Sequence, residues 1–149
     1  MNARRFTAAA LAMAIALAGC GGGGESSTTP EALSKDEFIA QADQICADAN
    51  DSLEAAIDDA SSSGRPSPEV LTQLITDTLL PTVQGAVDQI RALAAPAGEE
   101  EQVGEILDSF DRSIEEARAD PEAALNSTSP FEEAEQLAAD FGLQECDDL

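Results

Sequence analysis

From about residue 34 onward, apolar side chains recur at steps of three and four, and no segment sustains the alternation expected of a strand. The first such stripe runs through Phe38, Ala42, Ile45, Ala49, Leu53, Ala56 and Ala60, and Ile39, Cys46 and Ile57 widen it. Asp43, Asp48, Asp51, Glu54 and Asp58 fall mostly outside the stripe, as the solvated face of an amphipathic helix requires. Ser34 and Glu37 have the spacing of a capping box, with Asp36 in the first turn and Leu33 just outside as a staple residue. The helix is therefore predicted to begin at Ser34. It ends in Ser61-Ser62-Ser63-Gly64, which removes apolar anchors and admits a positive φ.

A second stripe passes through Leu71, Leu74, Ile75, Leu79, Val83, Val87, Ile90 and Leu93, after a serine cap at Ser67 and a proline at the first helical position, Pro68. Pro81 lies inside this pattern and cannot return a hydrogen bond to the carbonyl of Asp77. Because the stripe continues past it, the segment reads as one kinked helix that either wraps its neighbours, the commoner arrangement, or marks a ligand cavity. Ala95-Pro96-Ala97-Gly98 closes it. A third helix is predicted from Glu99, buried through Val103, Ile106, Leu107, Phe110, Ile114 and Ala117, with an Asp108–Arg112 pair on its surface and a stop at Asp120-Pro121. After a loop over roughly 125–129, Ser129-Pro130-Phe131-Glu132 opens a short fourth helix facing inward through Phe131, Ala134, Leu137, Ala138 and Phe141. Gly142 is placed for a left-handed cap, with Leu143 closing back on the last turn. The expected fold is all-α, a small four-helix bundle over residues 34–149, mostly antiparallel because its loops are short.

The residues before this domain follow a different rule. Arg4 and Arg5 precede an apolar run of about 12 residues, too short for the roughly 20 that span a bilayer, and Leu17-Ala18-Gly19 places small residues before Cys20. This is the plan of a cleaved leader over 1–19. Leu17-Ala18-Gly19-Cys20 resembles the lipobox of bacterial lipoproteins, which implies a diacylglycerol thioether on Cys20, cleavage before it and a domain anchored by lipid to an extracytoplasmic membrane surface. Arg4-Arg5-Phe6 also has some likeness to a twin-arginine export signal without its usual spacer, and general secretion is the favoured route. Residues 20–33 form a tether rich in glycine, serine and threonine that reaches at most about 45 Å.

Processing sharpens the charge. Loss of Arg4 and Arg5 leaves five basic residues against thirty acidic ones, about −25 in place of −23. Such a chain is repelled by nucleic acid and by anionic lipid heads, so phosphate-backbone binding is not expected. With Cys20 acylated, Cys46 and Cys146 are an even pair in an exported chain, where disulfides persist. A bridge between them is expected, ahead of two buried thiols, and a redox or metal role has least support because the chain contains no histidine to complete a soft-metal site.

Lys35 to Ile39 leading into Ala42 to Cys46, then Leu93 to Gly98, then Ala138 to Cys146 with Phe141-Gly142-Leu143, resemble a group of small lipoproteins from actinobacteria and related high-GC bacteria. The resemblance implies a helical, disulfide-closed extracytoplasmic domain and carries over no functional residue.

Catalytic signals are sparse. Without histidine the commonest general base is unavailable, and adjacent carboxylates such as Asp58-Asp59 and Glu115-Glu116 are expected by chance among thirty. Asp48, Asn50, Ser52 and Glu54 alternate as calcium-loop ligands do, but Leu53 stands where that loop needs glycine and Asp59 where it needs glutamate. No cofactor or metal residue is assigned. The leading expectation is a non-catalytic envelope protein acting by local contact with a protein partner, and the alternative is a module binding a cation, peptide or small solute. An exposed apolar patch would favour the first, and a lined cavity between helices the second.

Overall fold

The structure, a computed structural model, describes residues 32–62, 64–127, 129–146 and 149. The leader, Cys20 and nearly all of the tether lie outside the described residues. Within them every regular element is helical: α1 Lys35–Ser61, α2 Pro68–Leu74, a π-helical turn Ile75–Leu79, α3 Leu80–Arg91, α4 Glu100–Ala119, α5 Pro121–Asn126 and α6 Glu132–Phe141. Since α2, the π turn and α3 follow one another without a break, the long rods number four, and the all-α bundle stands.

The rods run up, down, up and down. Leu33 N–H donates to the Ala94 carbonyl, and Lys35 Nζ lies 2.9 Å from Glu99 Oε2, so the start of α1, the end of α3 and the start of α4 share one pole. Phe38 meets Phe141 edge-on at 6.0 Å, which brings the end of α6 to the same pole. α3 packs between α1 and α4, and α4 packs against α6. The core is the inward side of these four rods, with Phe38, Ala42, Val83, Ile114, Ala134 and Ala138 fully enclosed.

Local chemistry fixes the ends. Ser34 Oγ accepts from Glu37 N–H while Glu37 Oε2 accepts from Ser34 N–H at 3.1 Å, the reciprocal capping box read from the sequence. Gly142 adopts φ +113°, its N–H donates to the Ala139 carbonyl, and Leu143 N–H donates to that of Ala138. That pair of bonds is a Schellman cap, and a β-carbon at residue 142 would also stand 3.3 Å from Ile39 Cδ1.

Four details differ from the sequence reading. Asp120-Pro121 ends α4 but also starts α5, because Asp120 Oδ1 caps Ala123 N–H and Pro121 takes the first helical position. The Pro81 irregularity is a π turn on its N-terminal side, where Leu80 N–H reaches back five residues to Ile75. Ser129 does not cap Glu132; its hydroxyl accepts from Phe131 N–H and donates to Glu135 Oε1, so α6 begins at Glu132. Asp108 and Arg112 do not pair. Each bridges helices instead, Asp108 lying 3.7 Å from Arg91 and Arg112 3.5 Å from Glu133.

Candidate functional site

At the pole away from residue 33 the bundle does not close. Leu53, Ile57, Ala60 and Ser61 of α1, Leu71 and Leu74 of α2, and Ile75 and Leu79 of the π turn form two walls of a cavity of about 340 Å³. Ala117 at the end of α4, Ala124 and Leu125 of α5, and Pro66, Ser127 and Pro130 from the loops complete it. The volume is roughly twice the ~150 Å³ apolar cavity that accommodates benzene.

The pocket is a consequence of which helices meet here. α2, the π turn and α5 contain no fully buried residue, and their apolar side chains, Leu71, Leu74, Ile75, Leu79 and Ala124 among them, are only half-buried. Where they converge, Ala60, Ala117 and Ala124 supply little volume. The π turn inserts extra backbone just before Pro81 and aims Ile75 and Leu79 at the gap. π turns of this kind recur at functional sites.

Apart from the hydroxyls of Ser61 and Ser127, the lining is aliphatic, and no charged side chain belongs to it. It therefore offers a ligand dispersion contact and exclusion of water, with two hydrogen-bonding side chains at most. Two carboxyls are held below their ordinary value of 4.5: Glu37 by hydrogen bonds from the side chain and backbone of Ser34, and Glu69 by the Ser67 hydroxyl and its own amide. Both are helix-cap effects and neither group lines the pocket.

The predicted site residues distribute elsewhere. Cys46 and Cys146 are joined in a buried disulfide with their Cα atoms 5.1 Å apart, fastening the tail across α1 as expected. The tail is also held by Asp43 Oδ1, which accepts from the N–H groups of Gln144 and Glu145, and by Asn50, whose amide donates to the Glu145 carbonyl. Cys20 is outside the described residues. The calcium-loop-like set does not converge: Asp48 accepts from Gln44, Ser52 donates to the Asp48 carbonyl, and Asn50 points to the tail. Among the described residues no group of three or more His, Cys, Asp or Glu could hold a metal ion, and no helix is long and apolar enough to cross a membrane.

The pocket itself was not legible as a site. Its walls read as ordinary core stripes, and only the proline at residue 81 signalled an irregularity there. Comparison of the chain with protein-family models, with curated proteins and with solved structures gives no match in any of the three.

Proposed function

We propose that the domain is a non-catalytic binding module that receives a small apolar solute in the end pocket while a lipid on Cys20 holds it at an extracytoplasmic membrane surface. The observation that carries this reading is the pocket, a cavity of about 340 Å³ between helices whose lining is aliphatic but for two serines. Ligand sites in proteins commonly have this size and lining.

Placement adds to the reading. The α1 wall of the pocket starts at Leu53, eighteen residues or roughly 27 Å of helix from the start of α1 at Lys35. A domain anchored through residues 20–33 thus holds its open pole away from its own attachment point. Contact with a protein partner is the second reading, favoured by Ile57 and Val70, which are 49% and 40% exposed at this same pole. Two such side chains make a small patch, and Ile57 already belongs to the pocket wall.

The test is titration of a neutral naphthylamine dye into the full chain carrying Cys20→Ser, oxidised at Cys46 and Cys146. One site with a Kd on the order of 10–100 µM is expected, and Ala124→Phe, which fills the cavity, should abolish it. Binding that survives Ala124→Phe, or no binding by the parent chain, would overturn the proposal. The anchor is checked separately by intact mass of the membrane-extracted protein, expected to show a processed, acylated Cys20.

A further inference from the structure

Three more open depressions, of about 180, 290 and 380 Å³, abut the pocket, and each shares wall residues with it. One shares Ala60 and Leu74 and carries Asp59 and Asp77. The next shares Leu71 and Leu125 and carries Glu69 and Glu122. The third shares Ala117 and Ala124 and carries Glu116 and Asp120. The depressions that adjoin the aliphatic hollow thus carry six carboxylates, contributed by α1, α2, the π turn, α4, α5 and the residue that caps α5.

The cations of the domain do not cancel this ring. Lys35 pairs with Glu99, Arg91 with Asp88, Asp108 and Asp111, and Arg112 with Glu133, all away from the pocket walls. Arg65 and Arg118 belong to the open pole by their place in the chain, but neither lines the pocket or any of the three depressions. Even if Arg65 and Arg118 offset two of the six carboxylates, four negative charges remain on the surface adjoining the pocket.

We infer that the pocket selects cationic amphiphiles, molecules with an apolar body of roughly ten carbons or two fused rings and an ammonium or amidinium head. The inference rests on the binding reading above and specifies its ligand. An apolar body seated between α1, α2 and α5 leaves its head at the rim, within the combined field of carboxylates from several elements. A cationic head keeps its hydration there and gains attraction, a neutral head is indifferent, and an anionic head is repelled. The rim is open to solvent, so the selectivity is a matter of fold-changes and falls as salt shortens the screening length to about 8 Å.

The experiment compares decyltrimethylammonium, decanol and decyl sulfate, below their aggregation concentrations, as competitors of the neutral dye on the full chain with Cys20→Ser. At low salt the ammonium compound is expected to bind about tenfold more tightly than the sulfate, with decanol between them, and at 0.15 M salt the gap should shrink to about threefold. Neutralising the rim with Asp59→Asn, Asp77→Asn, Glu116→Gln and Glu122→Gln should bring the three ligands together. These four leave the Asp120 and Glu69 cap interactions intact. The same change of charge at the far pole, Asp36→Asn, Glu101→Gln, Glu105→Gln and Asp140→Asn, should leave most of the gap.

Equal binding of all three ligands would overturn the charge inference while leaving the apolar pocket standing. So would an equal loss of preference in the far-pole variant, which would assign the effect to net charge. Tightest binding of the sulfate would overturn it in favour of an anionic ligand held by Arg65 or Arg118. Failure of decanol itself to displace the dye would sink the underlying reading.

Discussion

The two poles of this bundle are finished in opposite ways. At the pole where α1 begins, Phe38, Ala42, Cys46, Phe141, Leu143 and Cys146 are all enclosed, a disulfide fastens the tail, and Lys35 Nζ covers the Phe141 ring at 4.0 Å while it reaches Glu99. At the other pole, short helices meet with their apolar sides half covered around an open cavity. Covalent closure, the Ser34–Glu37 capping box, the Schellman cap at Gly142 and the Phe38–Phe141 pair finish one end, while packing at the other stays incomplete. In a small domain rich in alanine that division matters, since a modest core offers little margin. The pole that packs worst is where a ligand finds unsatisfied apolar surface.

The largest effect expected from disturbing this division is loss of the disulfide. The bond closes a loop of 100 residues, for which chain-entropy reasoning gives about 4.7 kcal/mol. Cys46→Ala, Cys146→Ala and the double replacement should each lower the thermal midpoint by roughly 20 °C, and by the same amount, because each removes one bond. A fall of only a few degrees would show that the sealed pole does not depend on its cross-link. Non-reducing peptide mapping identifies the bond directly in the parent chain.

A smaller, signed effect separates the poles by packing alone. Ala42 is fully enclosed at the sealed pole, and its carbonyl lies 3.8 Å from Cys146 Sγ, so Ala42→Leu must displace neighbours and should destabilise by about 1–3 kcal/mol. Ala60 faces the cavity, and Ala60→Leu should stabilise by up to about 1 kcal/mol as new methyl groups find empty volume. Urea unfolding midpoints measure both. If Ala60→Leu destabilises as much as Ala42→Leu, the open pole is as tightly packed as the sealed one and the comparison fails.

The sealed pole was largely legible in the sequence because its determinants are local or covalent. Ser34 with Glu37, Gly142 with Leu143, and the two cysteines each act through a fixed spacing or a single bond. The open pole was not. Periodicity identifies the side of a helix that turns inward, but it carries no measure of whether the opposing side chains fill the space between. Ala60, Ala117 and Ala124 come from three separate elements, and their convergence on one cavity is a property of the assembled fold. The restart at Pro121 was hidden for a related reason: Asp-Pro ends one helix and caps the next with the same residues, and only the following contacts of α5 with α2 and α4 decide between a loop and a turn of helix.

The smallest effect concerns pH, and it compares one capped helix start at each pole. Glu37 in α1 and Glu69 in α2 both have folded pKa values below the ordinary 4.5, lowered chiefly by hydrogen bonds from Ser34 and Ser67 respectively. A carboxyl whose pKa is depressed by folding contributes stability that is fully present above its unfolded value and is lost as pH falls through the folded one. The contribution of each is therefore complete above about pH 5 and disappears below 4.5. Both groups are fully exposed, so the effects are slight, and the mutual repulsion of the other carboxylates changes over the same range. Comparing Glu37→Gln and Glu69→Gln with the parent chain at each pH removes that shared background. The stability difference for Glu37→Gln should be present at pH 7 and vanish at pH 3, because Ser34 and Glu37 cap the helix that both the disulfide and the tail clasp. For Glu69→Gln the global midpoint should move less at any pH, since α2 buries no residue and frays without unfolding the bundle, while amide exchange in 68–74 accelerates. A Glu69→Gln shift in the global midpoint as large as that of Glu37→Gln would mean that α2 unfolds only with the whole domain, and that the open pole is bound to the sealed one more tightly than its packing indicates.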